Sequence, residues 1–140
     1  ETCKNDYGLD ESITNFGIPF AQVVYKPSVA LLFFTSATYA AEAFGVSISI
    51  SWIVSLFIMS IILSIATPPI PGGALASITV LFAQLKLPTE GIAVVLAINM
   101  IIDFFETPTD VFGGQTVLML AANKFGLIDK NMLRSDKTDK

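Results

Sequence analysis

Asp103, Glu106 and Asp110 stand at i, i+3 and i+7, and Thr107 falls at i+4. That spacing puts all four on one face of a helix. The segment around them is otherwise strongly apolar, from Gly91 to Phe125. Carboxylates inside such a segment are costly and mark function by default. Three of them cannot all stay ionised close together without a positive charge nearby. The trio therefore predicts a bound cation, a cationic substrate group or a shared proton. The competing reading puts the stretch outside the membrane with solvated acids, and Pro108, which breaks or kinks the segment, favours it. Lys26, beside Pro27, is the second chemically loaded residue. A buried ammonium needs a carboxylate partner, and the three acids are its candidates; the alternative is a lysine snorkelling to an interface. The third feature is Thr67-Pro68-Pro69-Ile70-Pro71-Gly72-Gly73, which cannot remain a regular helix. At membrane depth, open backbone groups are tolerated only where they line a cavity or are buried in protein. Broken helices of this kind hold substrates and ions in transporters. The bland reading is a surface loop between two ordinary spanning helices.

The elements that position these residues follow from the apolar pattern. The chain has 140 residues, 53% apolar and only 14% charged, against about 25% charged in a soluble domain. Between Glu11 and Lys124 the charges are Lys26, Glu42, Lys86, Glu90 and the acidic trio. Most of the surface must then face lipid or other helices. Residues 1–15 read as a cytoplasmic loop or helix start. Residues 16–46 read as a transmembrane helix broken at Tyr25-Lys26-Pro27-Ser28, with Gly45 as its stop. Residues 48–85 combine a long apolar arm, the tip at 67–73 and an arm too short to span, which predicts a re-entrant helical hairpin. Residues 91–125 form the last transmembrane helix, and 126–140 a cytoplasmic tail. Lys124, Lys130, Arg134, Lys137 and Lys140 place that end inside. The fold class predicted is an all-α membrane protein.

Several function classes drop out. There is no histidine, so the commonest general base and zinc ligand are missing. Cys3 is the sole cysteine, which excludes a disulfide framework. No basic face suits nucleic acid. A phosphate loop, a nucleophile elbow and a metal-ligand cluster are all lacking, so an enzyme is not expected. A soluble helical protein with an unusually apolar core stays open as a competitor.

Broken helix, proline–glycine tip and polar-centred helix come in an order that resembles the C-terminal part of the dicarboxylate/amino acid:cation symporter (glutamate transporter) family. Ser64-Ile65-Ala66-Thr67-Pro68-Pro69-Ile70-Pro71-Gly72-Gly73-Ala74 is similar to the tip of that family's second re-entrant hairpin. Asp103 to Gly114 is similar to its last helix. The resemblance covers nearly the whole chain and implies the second half of an elevator-type transport domain. The expected partners are the lipid bilayer, a missing N-terminal half of the same chain and two further copies in a homotrimer. An amino acid or a related small carboxylate would be the substrate, moved across the plasma membrane. By the same resemblance, Asp103 falls on the aspartate that holds the substrate amino group, and Thr107 and Asp110 on substrate contacts. Ile70 and Gly72 fall on tip positions whose backbone touches substrate. Ser64, Ile65 and Thr67 fall where backbone carbonyls hold a sodium ion.

The departures are as specific. Tyr25-Lys26-Pro27-Ser28-Val29 replaces the family's Asn-Met-Asp-Gly-Thr, and its sodium-binding side chains are gone. Gly114 replaces the last-helix aspartate, another sodium ligand. Glu106 stands where an arginine reads an acidic substrate, so it would repel a dicarboxylate and favour a cationic or neutral amino acid, or pair with Lys26. The resemblance thus leaves one sodium site, built mostly from backbone. Lys26 is a candidate stand-in for a lost cation, with proton-coupled or uncoupled transport as the consequence. A degenerate, non-transporting homologue is the alternative, although decay should not spare the tip glycines.

Overall fold

The structure, a computed structural model, describes Cys3, residues 7–68, Ile70 and residues 72–129. The described residues are helical apart from turns and one antiparallel bridge, Leu9 to Ile128. A π-helical segment, Ile13–Gly17, leads into α1 (Ile18–Val24), α2 (Pro27–Ala43), α3 (Ile50–Ala66), α4 (Gly73–Gln84) and α5 (Glu90–Lys124). The chain divides into two compact units, residues 1–24 with 111–140, and residues 25–110.

In the first unit the bridge is extended by Asp10 N–H to the Leu127 carbonyl and Asp129 N–H to the Gly8 carbonyl. Beneath it Cys3, Leu9 and Ala122 form a small core with Ile13, Ile18, Met119 and Ile128 around them. Gly126, at φ +71°, lets the chain turn back after α5.

The second unit packs α2, α3 and α4 against one another. Its core is Phe33, Ala37, Ala40, Ala41, Leu56, Ile78, Leu81 and Phe82, with Leu87 and Val95 alongside. The alanine-rich face of α2 allows close helix approach, as in membrane helix pairs. Pro27 opens α2 at its first position, where a missing N–H costs nothing. Gly45, at φ +66°, follows its end, and Val46 N–H returns to the Ala41 carbonyl. Ser49 caps α3 by accepting from Trp52 N–H at 3.2 Å. The outer face of α3 carries Ile53, Val54, Phe57, Ile58, Ile61 and Ile62, all exposed. By length and composition residues 13–43 can cross a membrane, and residues 90–124 can do so as a bent pair.

One expectation is corrected. Pro108 does not break the last segment: α5 runs through it without interruption. A single proline removes one ladder bond, here the donor to the Phe104 carbonyl, and flanking turns can hold the rod together. The Thr109 hydroxyl adds a bond to the Phe105 carbonyl at 2.7 Å in that turn. The 63° bend lies earlier, between Asn99 and Ile101. Of the basic residues that set the expected orientation, Lys130, Arg134, Lys137 and Lys140 lie outside the described residues.

Candidate functional site

Proline chemistry builds the end of α3. A helical carbonyl at position i accepts from the N–H at i+4, and proline has none. Pro68 and Pro69 therefore take the donors away from Ser64 and Ile65. The one amide between Pro68 and Pro71, Ile70 N–H, turns inward to the Pro68 carbonyl at 2.8 Å. The helix thus ends on carbonyls with no donors of their own, at the negative end of its dipole. The turn beyond is closed by Gly73 N–H to the Ile70 carbonyl at 2.9 Å and Leu75 N–H to the Gly72 carbonyl at 3.0 Å. Gly72 sits at φ +80°, a left-handed conformation that glycine adopts freely. A Cβ on Gly73 would lie 2.4 Å from the Pro68 carbonyl oxygen, so the backbone folds back on itself there. The Thr67 hydroxyl bonds the Leu63 carbonyl and the Ser77 hydroxyl, both at 2.7 Å, tying α3 to α4.

Lys26 is 8% exposed, and its ammonium donates to the Thr67 carbonyl. The hydrogen bond therefore goes to a backbone carbonyl, while Asp110, one of the three expected carboxylate partners, attracts the ammonium electrostatically. Thr67, the C-cap of α3, has an extended backbone that turns its carbonyl out of the helical ladder; the buried carbonyl needs a hydrogen bond, and the ammonium supplies a charged one. Two residues on, Ser28 N–H donates to the Asp110 carboxylate at 3.1 Å. Lys26, the N-cap of α2, makes no side-chain cap of its own. Asp110 thus caps α2 from another helix, placing negative charge at the positive end.

The acidic face of α5 splits in two. Successive helical residues turn by about 100°, so Glu106 and Thr107 stand at opposite edges of the shared arc. Asp103 and Thr107 are exposed and joined by a 3.3 Å hydrogen bond. Glu106 and Asp110 are half-buried. Glu106 helps line a groove of about 330 Å³ with Ser28, Leu31, Thr35, Phe105 and Thr109. Among the described residues, no three acidic, histidine or cysteine side chains are grouped to hold a metal ion. Of the tip positions, Ile70 is 63% exposed and Gly72 is exposed. Ser64 and Thr67 are buried and Ile65 is exposed. Two functional details escaped the sequence reading, the Asp110 cap and the Thr67–Ser77 bond. The first joins positions 82 apart, beyond any local pattern. Counting back four residues from Pro68 and Pro69 would have exposed the donor-less carbonyls of Ser64 and Ile65.

Residues 1–124 match the sodium:dicarboxylate symporter family. The chain is 27% identical over 105 residues to Excitatory amino acid transporter 3 of Mus musculus, covering 75% of this chain and 20% of the relative. It is 25% identical over 130 residues to Excitatory amino acid transporter 2 of Homo sapiens, covering 90% of this chain and 23% of the relative. Excitatory amino acid transporter of Caenorhabditis elegans is 22% identical over 110 residues, covering 79% and 22% respectively. The chain therefore spans about a fifth of the length of these curated relatives. No solved structure matches it.

Proposed function

The chain belongs to the sodium:dicarboxylate symporter family, and on that premise we propose that it is part of a secondary transporter of amino acids or related small carboxylates, with sodium coupling altered or lost. The observation that carries this reading is a pair of ties. The segment at 25–28, where α1 gives way to α2, is bonded to the tip through Lys26 and Thr67, 41 positions away, and to the acidic helix through Ser28 and Asp110, 82 positions away. Within the second unit, the segment at 25–28, the tip and the acidic residues up to Asp110 are thus tied together. In this reading the pair α3–α4 is a re-entrant hairpin whose tip gates the site from outside. Residues 1–124 form the second half of an elevator-type transport domain in the plasma membrane. The first half, the scaffold and the trimer contacts lie in the remainder of the parent protein. The C-terminus is cytoplasmic.

Asp103 takes the substrate amino group, and Thr107, bonded to it, orients the carboxylate. The exposed backbone at Gly72 closes over the substrate from the tip side; Ile70 N–H and carbonyl are already used inside the turn. Glu106, half-buried in the groove beside α2, repels a second substrate carboxylate and favours a neutral or cationic side chain. Ser64 and Ile65 carbonyls suit a monovalent cation chemically, and the third carbonyl, Thr67, is held by Lys26. Of the two candidate coupling ions, a proton remains available, and a sodium ion would have to displace the Lys26 ammonium.

The test is amino-acid binding by the full-length parent in detergent, across a substrate panel, with and without sodium, beside Asp103→Asn. Sodium-independent binding of a neutral or cationic amino acid, lost in Asp103→Asn, is expected. Tight glutamate binding that requires sodium would overturn the altered coupling. No binding under any condition would favour a non-transporting homologue of the same fold.

A further inference from the structure

We infer that the Lys26 ammonium is a built-in monovalent cation for the C-terminus of α3, occupying permanently a place that a free ion would otherwise fill. The inference deepens the transporter reading and rests on it for its functional consequence alone. Its physical basis is local. Pro68 and Pro69 strip the donors from Ser64 and Ile65, and the extended C-cap Thr67 carries its carbonyl out of the helical ladder. Ser64 and Thr67 are buried, so water does not simply replace those donors. A helix C-terminus carries roughly half a negative charge, and clustered backbone carbonyls are the usual protein ligands for monovalent cations. The side chain that meets this demand comes from the α1–α2 break. Lys26 is buried, and its ammonium is bonded to the Thr67 carbonyl. Pro27, as the first residue of α2, fixes the chain just after the lysine. Asp110 engages Ser28 N–H, which anchors the start of α2, and attracts the ammonium electrostatically. The lysine is thereby anchored at its backbone and committed at its tip.

A cation attached by covalent bonds cannot be taken up on one side of a membrane and released on the other. Ion movement through this position is abolished, and the tip no longer needs an ion to close.

The experiment uses the full-length parent in detergent and measures melting temperature in sodium, lithium or potassium chloride against choline chloride at equal ionic strength. No substrate is needed, so the result is independent of whether transport is found. The parent should melt at the same temperature in all four salts. Lys26→Gln, which removes the charge but keeps a polar side chain, should melt lower in choline. It should then recover by about 3 °C in saturating sodium or lithium, as expected for a ligand that binds only the folded state. Lys26→Arg should stay indifferent to the salt. A sodium-specific rise in the parent would overturn the inference, as would a Lys26→Gln protein no more responsive than the parent. If Lys26→Gln does not fold, the parent decides alone: a sodium-specific rise refutes, and indifference supports.

Discussion

Prolines in two regions of this chain do opposite things. Between α3 and α4, Pro68, Pro69 and Pro71 end a helix outright. In the middle of α5, Pro108 is absorbed into 35 continuous helical residues. The difference is the number of neighbouring bonds removed. One missing donor leaves intact turns on both sides, and the ladder closes over the gap. Three prolines within four positions leave no bond to propagate from, so the carbonyls open toward whatever can donate. The tip therefore offers chemistry through its backbone. Along α5 it is offered through side chains, on a scaffold that stays helical.

The sharpest way to break this contrast is at Gly73. Gly73→Ala places a Cβ against the backbone oxygen of Pro68, which cannot retreat as a flexible side chain can. Unfolding of the full-length parent should show a loss of about 3 kcal/mol. A neutral result would mean that the tip is not built on this close approach. Lys26→Met should cost about 2 kcal/mol, because the buried Thr67 carbonyl keeps its place and loses its donor. An unchanged melting curve would remove the tie between break and tip. Pro108→Ala should act in the other direction. It returns a donor to the Phe104 carbonyl and should stabilise by about 1.5 kcal/mol, below the roughly 3 kcal/mol of an isolated helix because the helix already tolerates the proline. Destabilisation there would show that Pro108 is functional.

Asp110→Asn should cost about 1 kcal/mol through the weakened cap on α2, visible as faster amide exchange at the start of that helix. Unaltered exchange would count against the cap. The smallest effect belongs to the first unit. Asp10 accepts from the hydroxyl of Ser12 and from its N–H at 2.9 Å, and these bonds, the hydroxyl first, hold its carboxyl below the ordinary carboxylate value. Its stabilisation is complete above the unfolded pKa and is lost as pH falls through the lower folded value. Asp10→Asn should make the acid limb of the stability curve slightly shallower, and a superimposable limb would rule out the contribution.

What could be read from the sequence divides along the same line. Helix runs, the break before Pro27 and the stop at Gly45 were legible because apolar length and proline and glycine placement are local signals. The apolar arms on either side of the tip were legible for the same reason, to within two residues at each end. The hydrogen-bond acceptor of Lys26 was not, although Asp110, one of the acids expected, does attract it. Charge matching favours an acid, and only the fold brings a donor-less carbonyl within reach from 41 positions away. The acidic face was read correctly as one arc, but not its division. Which edge of an arc meets α2 depends on how α2 packs, and no spacing on α5 encodes that. Pro108 was misjudged because a proline's effect depends on its neighbours' remaining bonds.

Ile70 holds a last consequence. Its N–H and carbonyl are both spent inside the turn, while its side chain is 63% exposed. The position is structurally mute from Cβ outward. A cysteine there, carrying a fluorophore or a spin label, would report movement of the tip while leaving intact the bonds that shape it.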